Sequence, residues 1–488
     1  MMAMLRRAAV VLPIAWTGVW LGYYAYTDTL RRSHIRSRNK ELDSALSTLG
    51  VDRRAPASEE EKEAIKKRFS SLRFAGRYWN PYVEWREQGA WEWAWWKVIL
   101  STLNGKLFYF DGDLPAERPI PDLPVETPDF ALLYGKDARV HIPVSTDEGE
   151  KENVHGNGYA NEHANGHANG TAQTNGHANG HANGHANHAD GHAYRHALPP
   201  AQTMRHRTHR GGADIDITDK LTITWMGQST SYVTLDKLAI LTDPALQDRT
   251  IPSTLAPQRI RPAPCTYEDL KRVDLVLVSH NHYDHLDPQA VVELGDSCEW
   301  VVPMGAGDFL RELGVTRVTE LDWWQEKKHT LQRPGEKDRT YTITAVPVMH
   351  WSARSPADTN ATLWSAFHVK SDTEKPRSFI HLGDTGYSPT LYEAVGRVLG
   401  PVDLAAIPIG SYEPRWHMHL QHTDPEGAVR MALNLGAKKS IGVHWGTWIM
   451  SDEAYNMPPI DLAKAREKYG VSEDAFSTVP VGKTVVVE

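Results

Sequence analysis

An α/β catalytic domain over residues 213–488 is predicted by two features of the chain: strand-like apolar runs alternate with helix-like segments from Asp214 onward, and several of those runs end on His or Asp. A third feature sets this domain apart. A repetitive His/Asn/Gly-rich tract separates it from an aromatic N-terminal region. A chain of 488 residues has room for one large core plus appendages. The expected organisation is a membrane anchor with basic flanks (1–40), a helical and aromatic-rich region packing on the catalytic domain (41–144), a disordered low-complexity insertion (145–212), and the catalytic domain (213–488).

The bulk composition excludes several classes. With Lys+Arg 53 against Asp+Glu 61, the formal charge of -8 gives no global pull toward nucleic acid, so any anionic ligand must be held locally. Two cysteines, Cys265 and Cys298, supply neither a disulfide framework nor a Cys-rich metal cluster. A metal would need His and Asp ligands. Of the 24 histidines, about half lie in the repeat tract and most of the rest in the catalytic domain.

Ala8–Tyr26 is apolar, aromatic and uncharged, close to the roughly 20 residues that cross a hydrocarbon core. Arg6 and Arg7 precede it, and Arg31, Arg32, Arg36, Arg38 and Lys40 follow. Trp16, Trp20, Tyr23, Tyr24 and Tyr26 suit an interfacial belt. The heavier C-terminal charge would place the body on the cytosol-like or matrix-like side, with mitochondrial inner membrane and endomembrane both open. SEEEKEAIKKRFSS, with Ser58 as N-cap and Glu61 three residues on, predicts a surface helix. Trp91, Trp93, Trp95, Trp96, Ile99 and Leu100 are expected either to pack in a core or to dip into a bilayer interface. The HANG repeats lack apolar periodicity; they are expected to be disordered, as a tolerated insertion or a loose zinc buffer.

Within the catalytic domain, TITWMGQSTSYVTL and LAILTDP read as a hairpin region, and DLVLVSH, TYTITAVPVMH, SFIHLGD, DLAAIPIG and SIGVHWG as further strands. DPEGAVRMALNLG reads as a helix capped by Asp424, with Pro425 in the first turn and Gly436 at its stop.

The segment SHNHYDHLD carries the chemistry. His280 and His282 leave a strand end on the same side because side-chain direction repeats every two residues, and the following turn brings Asp284 and His285 round to a second ion. His350, Asp384 and His444 also stand at or just after strand ends, which gather along one edge of an open α/β sheet. Imidazole and carboxylate suit zinc, and a zinc pair about 3.5–4 Å apart clamps a phosphoryl group and makes hydroxide available near neutral pH. The expected sets are His280, His282 and His350 for one Zn2+, and Asp284, His285 and His444 for a second, with Asp384 between them.

HNHYDH with the later His, Asp and His resembles the metallo-β-lactamase superfamily, which implies a four-layered αβ/βα sandwich and a dinuclear site. LTDP, RPAPCTYEDL, ELDWW, GDTGY, DLAAIPIGSYEPRW, QHTDPEGAVR and HWGTW, in this order, more specifically resemble the N-acyl-phosphatidylethanolamine-hydrolysing phospholipase D family, from about Arg77 to near the C-terminus. That resemblance implies a zinc-dependent phospholipase releasing an N-acylethanolamine and phosphatidic acid, with a hydrophobic groove and often as a homodimer. It also implies substrate contacts for Gln421 and His422 and an acidic position beside the metals for Asp243, which is expected with them at the substrate. His417 and His419 depart from the pattern and are expected in a polar surface loop or at the headgroup.

Asp284, Asp384 and His422 are thus the expected catalytic residues, with His422 as acid for the leaving oxygen or, alternatively, a helix-start residue only. A different dinuclear hydrolase acting on a lactone, cyclic nucleotide or nucleic acid would instead need a polar approach. A nonenzymatic membrane tether would lack ligands, and none is missing.

Overall fold

The computed structural model describes residues 2–51, 55–88, 90–100, 103, 123–134, 218–251, 253 and 256–488. The expected insertion at 145–212 lies outside them. Helix α1 (Met2–Leu49) is 48 residues long and does not stop after the apolar run. No helix among the described residues is long and apolar enough to cross a membrane, so the spanning segment expected at Ala8–Tyr26 is not found there. Two residues of the basic flank also make contacts within the fold. Arg31 is buried, donates to the carbonyls of Asn80 (3.3 Å) and Tyr82 (2.7 Å), and lies over the Trp85 ring. Arg38 donates to Ser71 O at 3.1 Å. A charge count cannot distinguish a guanidinium facing lipid phosphates from one satisfying buried carbonyls.

Helix α2 (Glu59–Arg68) starts where the cap predicts, with Ser58 accepting from Glu61 N at 3.2 Å. Its Glu61 is buried and takes two nitrogens of Arg397, so the helix docks on the body and is not purely a surface element. Strands β1 (Leu72–Phe74) and β2 (Arg77–Trp79) form a small antiparallel pair. The aromatic segment is a short helix, Ala90–Ala94, running into a π-helical turn, Trp95–Leu100. The segment is divided: Trp96 is buried, as expected of core packing, and donates to Asp452 at 2.6 Å, whereas Trp93, Trp95, Val98 and Ile99 are exposed.

Two seven-stranded mixed sheets build the domain. The first contains β3 (Leu221–Gly227), β4 (Thr230–Leu235), β5 (Leu238–Thr242), β6 (Leu275–Leu277), β7 (Glu299–Pro303) and β8 (Val318–Leu321). The second contains β9 (Glu326–Leu331), β10 (Arg339–Val346), β11 (Ala366–Ser371), β12 (Ser378–His381), β13 (Leu404–Pro408), β14 (Lys439–Val443) and β15 (Phe476–Ser477). The last strand, β16 (Thr484–Val487), returns to pair with β3 of the first sheet.

Adjacent residues of a strand point to opposite faces, which splits the core in two. Ile223, Val233, Ile240 and Leu275 share one core with Ile343, Phe367, Val369 and Phe379 of the second sheet. Met226, Tyr232, Leu241, Val276 and Trp300 face the other way, onto Phe130, Val291, Leu294 and Leu310 from helices Phe130–Tyr134, Pro288–Leu294 and Gly307–Glu312. Helices Pro389–Leu399, Pro425–Asn434 and Met457–Tyr469 cover the second sheet. The layers are therefore helix, sheet, sheet, helix, as expected. Helix Pro425–Asn434 has the predicted cap, with Asp424 accepting from Gly427 N at 2.7 Å.

Strands β5, β6 and β7 are mutually parallel, as are β12, β13 and β14, and β10 shares the direction of β12 because both are antiparallel to β11. The C-terminal ends of β6, β10, β12 and β14 deliver the loops that carry the expected ligands. At the far edge, Glu299 of β7 joins the sheets, 2.9 Å from His329 and 3.2 Å from Lys327 of β9. Burial opposes its ionisation, but bonds from His329 and Lys327 win and bring its carboxyl down to about 2. Glu299→Gln should therefore lose about 1 kcal/mol, a modest figure because Lys327 is partly exposed. A depressed carboxyl contributes fully above its ordinary pKa of about 4.3 and progressively less as pH falls toward the folded value. Urea unfolding should show the difference at pH 7 and its shrinkage near pH 2–3. A difference that persists unchanged in acid would exclude this origin.

Candidate metal centre

Seven predicted ligand-type residues converge. His280, His282 and His350 form one group, and Asp284, His285, Asp384 and His444 a second, each with ligand atoms within 4.8 Å of one another. In the first, His282 Nδ1 lies 2.7 Å from His280 Nε2 and 3.4 Å from His350 Nε2. Asp384 stands between the groups: its Oδ2 is 3.1 Å from His285 Nε2, 3.7 Å from His350 Nε2 and 4.0 Å from His280 Nε2, while Oδ1 is 3.1 Å from His444 Nε2.

The surroundings orient these rings. His350 Nδ1 is 2.8 Å from the Gln421 carbonyl, to which it donates, leaving Nε2 to face the cluster. His280 Nδ1 lies 2.9 Å from Ser279 Oγ. Asp243 corrects an expectation: it is fully buried and does not reach the cavity described below, so it is no substrate contact. It accepts from Ser279 N (2.6 Å) and Ser279 Oγ (2.7 Å), and lies 2.8 Å from His285 Nδ1 and 2.7 Å from His381 Nε2. Its work is to aim His285.

The two groups differ electrostatically. Burial pushes His282 and His350 down to about 3, and burial with the neighbouring imidazoles holds His280 well below its usual range, so the first group offers neutral lone pairs. In the second, burial opposes charge, yet Asp384 and Asp284 raise His285 well above its usual range and His444 to about 9. The carboxylates of Asp284 and Asp384 are both held well below theirs, against burial, mainly by His285. Positive charge is what this half of the site demands. His282 Nε2, His285 Nε2 and Asp384 Oδ1 are also buried without a hydrogen-bond partner among the described residues. Unpartnered buried imidazole and carboxylate atoms suit a divalent cation, and the donor set fits one.

A cavity of about 710 Å³ opens on this cluster. His282, Asp284, Asp384 and His422 lie at its metal end; Trp85, Trp93, Trp96, Trp351, Met418 and Met450 line its walls. Gln421, one of the expected substrate contacts, lines it. So does His422, whose Nδ1 is 3.8 Å from Asp384 Oδ2 and which burial pushes down to about 3. His417 is not in a polar surface loop: it is buried against Trp96 and lines the cavity, whereas His419 is outside it. Sequence reasoning missed Gln228, which touches both Asp284 and His444, and His381 behind Asp243. A polar residue in a hairpin turn and a lone histidine in a strand carry no local signal of such contacts.

A layered α/β fold with this centre defines a metal-dependent hydrolase, and residues 239–445 match the family described as beta-lactamase superfamily domain. The chain is 38% identical over 273 residues to the N-acyl-phosphatidylethanolamine-hydrolyzing phospholipase D 1 of Caenorhabditis elegans, covering 53% of this chain and 74% of that protein. It is 38% identical over 264 residues to the mitochondrial N-acyl-phosphatidylethanolamine-hydrolyzing phospholipase D of Saccharomyces cerevisiae, 54% of this chain but only 55% of that one. The chain belongs to the N-acyl-phosphatidylethanolamine-hydrolysing phospholipase D family. A looser likeness, with TM-score 0.40 and 19% identity over 55% of this chain and 99% of the other, is to the metallo hydrolase Igni18 of Ignicoccus hospitalis.

Proposed function

We propose that the protein is a zinc-dependent phosphodiesterase of phospholipase D type, hydrolysing N-acyl-phosphatidylethanolamine to N-acylethanolamine and phosphatidic acid. The observation that carries this reading is the aromatic cavity ending on the His/Asp cluster, since a lipid needs an apolar approach to a polar reacting centre. A dinuclear hydrolase of a lactone, cyclic nucleotide or nucleic acid would call for a more polar approach than these aromatic walls give, although Arg86, Lys97 and Arg354 also line the cavity. His280, His282 and His350 would hold one zinc and Asp284, His285 and His444 the other, with Asp384 shared. Bound there, the pair supplies Lewis-acid neutralisation of the phosphate and a nucleophile near neutral pH.

The chain's own groups do the rest. Asp243 keeps His285 aimed, and the Gln421 carbonyl keeps His350 aimed. The aromatic walls exclude water and align the acyl chains. His422, neutral at pH 7, presents a ring nitrogen toward the reacting end and serves the leaving oxygen as a hydrogen-bond donor, with imidazolium scarce. Trp93, Trp95, Val98 and Ile99 are exposed next to the cavity mouth, which Trp93 itself lines, and they suit insertion into a phospholipid interface. The word mitochondrial in the yeast relative's name favours a mitochondrial membrane as that surface.

Purified full-length protein should contain about two zinc ions per chain, because the donor set is too large for one tetrahedral site. Given mixed phospholipids, the zinc-loaded enzyme should release N-acylethanolamine and phosphatidic acid, identified by mass spectrometry. Near-zero metal, or release of free fatty acid or diacylglycerol instead, would sink the assignment.

A further inference from the structure

Gln228 occupies the turn between β3 and β4, where its backbone is left-handed with φ of 49°, a conformation uncommon outside glycine. The surrounding structure holds it there. Its N–H donates to Thr447 Oγ1 at 2.7 Å, and its carbonyl accepts from Trp225 Nε1 at 2.7 Å and from the backbone N–H of His444 at 2.8 Å. The turn is thus tied directly to the loop that carries a metal ligand. The side chain is buried, and its amide nitrogen lies 2.8 Å from Asp284 Oδ2 and 2.7 Å from His444 Nε2. Those two atoms belong to the second ligand group. A strained, multiply anchored backbone that delivers one side chain to a reactive cluster is the pattern expected of a functional residue.

The amide sits where its nitrogen has no lasting use once a cation is present. The lone pair of His444 Nε2 and an oxygen of Asp284 would then face the ion, so an N–H aimed at both would compete with it. A carboxamide can turn to present oxygen, which has lone pairs for a cation. A group this close to two ligating atoms lies beside any ion they share.

We infer that Gln228 is an additional ligand of the second metal pocket, its carboxamide oxygen facing the ion held by Asp284, His285 and His444. In the metal-free protein the amide nitrogen instead donates to Asp284. This rests on the two-ion reading above and adds to it a residue outside the seven ligands expected from the sequence.

The test is titration of metal-stripped, full-length protein with Co2+ and separately with Zn2+, comparing the unaltered chain with Gln228→Asn and Gln228→Glu. Asparagine tolerates the left-handed backbone but is one methylene too short; glutamate keeps the reach and adds charge. The first equivalent should bind alike in all three. The second should weaken at least about tenfold in Gln228→Asn and tighten at least about tenfold in Gln228→Glu, with the visible Co2+ spectrum of the second equivalent altered in both. Unchanged second-site affinity and spectrum in both variants would overturn the inference, as would equal weakening of both equivalents, which marks a structural role. If the unaltered chain binds one equivalent only, the two-ion reading fails first, and with it the basis for a second-pocket ligand.

Discussion

Replacement of Asp384 by Asn should lower turnover by more than about 10⁴-fold, exceeding the typical 10²–10⁴-fold contribution of general acid or base help. The side chain lies within 4.0 Å of ring nitrogens from His280, His285, His350, His422 and His444, so one carboxylate balances both ligand groups. Removing its charge leaves the size unchanged but removes the anion that the second group is arranged around. Bound metal should fall together with rate. His422→Ala should behave differently, because that ring lines the cavity and stands farther from Asp384 (3.8 Å) than His285 and His444 do (3.1 Å each), although it also packs against His350 and His444. It should retain both ions and lose at most about 10⁴-fold. A substrate with a more acidic leaving group should recover much of the His422→Ala loss and little of the Asp384→Asn loss. Equal recovery in the two variants would remove His422 from leaving-group chemistry, and metal loss from His422→Ala would make it a ligand.

Asp243→Ala should destabilise the metal-free protein by about 3–5 kcal/mol, the range for breaking a fully buried charge pair. The carboxylate is fully enclosed, and its removal would orphan Ser279 N and His381 Nε2 and take the shorter partner from Ser279 Oγ and His285 Nδ1. Burial alone would raise its pKa; His381 and His285 reverse that and bring it to about 2. Its contribution is therefore complete above the ordinary Asp pKa of about 3.9 and is lost as pH falls through the folded value. Asp243→Asn should lose less, because an amide oxygen still accepts. Metal affinity should also drop about 10- to 100-fold, as for other residues that orient a ligand from behind. Urea unfolding at pH 7 and pH 3, with zinc titration of the same preparations, checks each part. A loss below about 1 kcal/mol would show that the pair is not fully desolvated.

How far the site was legible depended on whether its signal was local. His280, His282, Asp284 and His285 lie close together in the loop that follows β6, and His350, Asp384 and His444 each follow an apolar run, so ligand-type residues placed just after strands sufficed to nominate them, although β6 ends at Leu277 and the period-two direction expected of His280 and His282 is not a strand property here. The cap at Asp424 was legible for the same reason, since capping is decided within a few residues. Arg31 was not. Its neighbours in sequence suggest a membrane flank, but its partners are carbonyls about fifty residues away. Asp243 was placed beside the metals, yet whether it faces substrate or the back of His285 depends on β5 pairing with β6, which no window of sequence contains.

Taken alone, the order and spacing of residues determined the α/β class, the strand ends that bear ligands and the chemistry those ligands favour, because side-chain periodicity and donor type are properties of short segments. Only the tertiary structure decided that Gln228 and His381 stand beside the ligand-type residues, and that Trp85, Trp96 and His417 wall one cavity. Those outcomes depend on how two sheets and an N-terminal segment pack, and packing is set by contacts between residues tens to hundreds of positions apart.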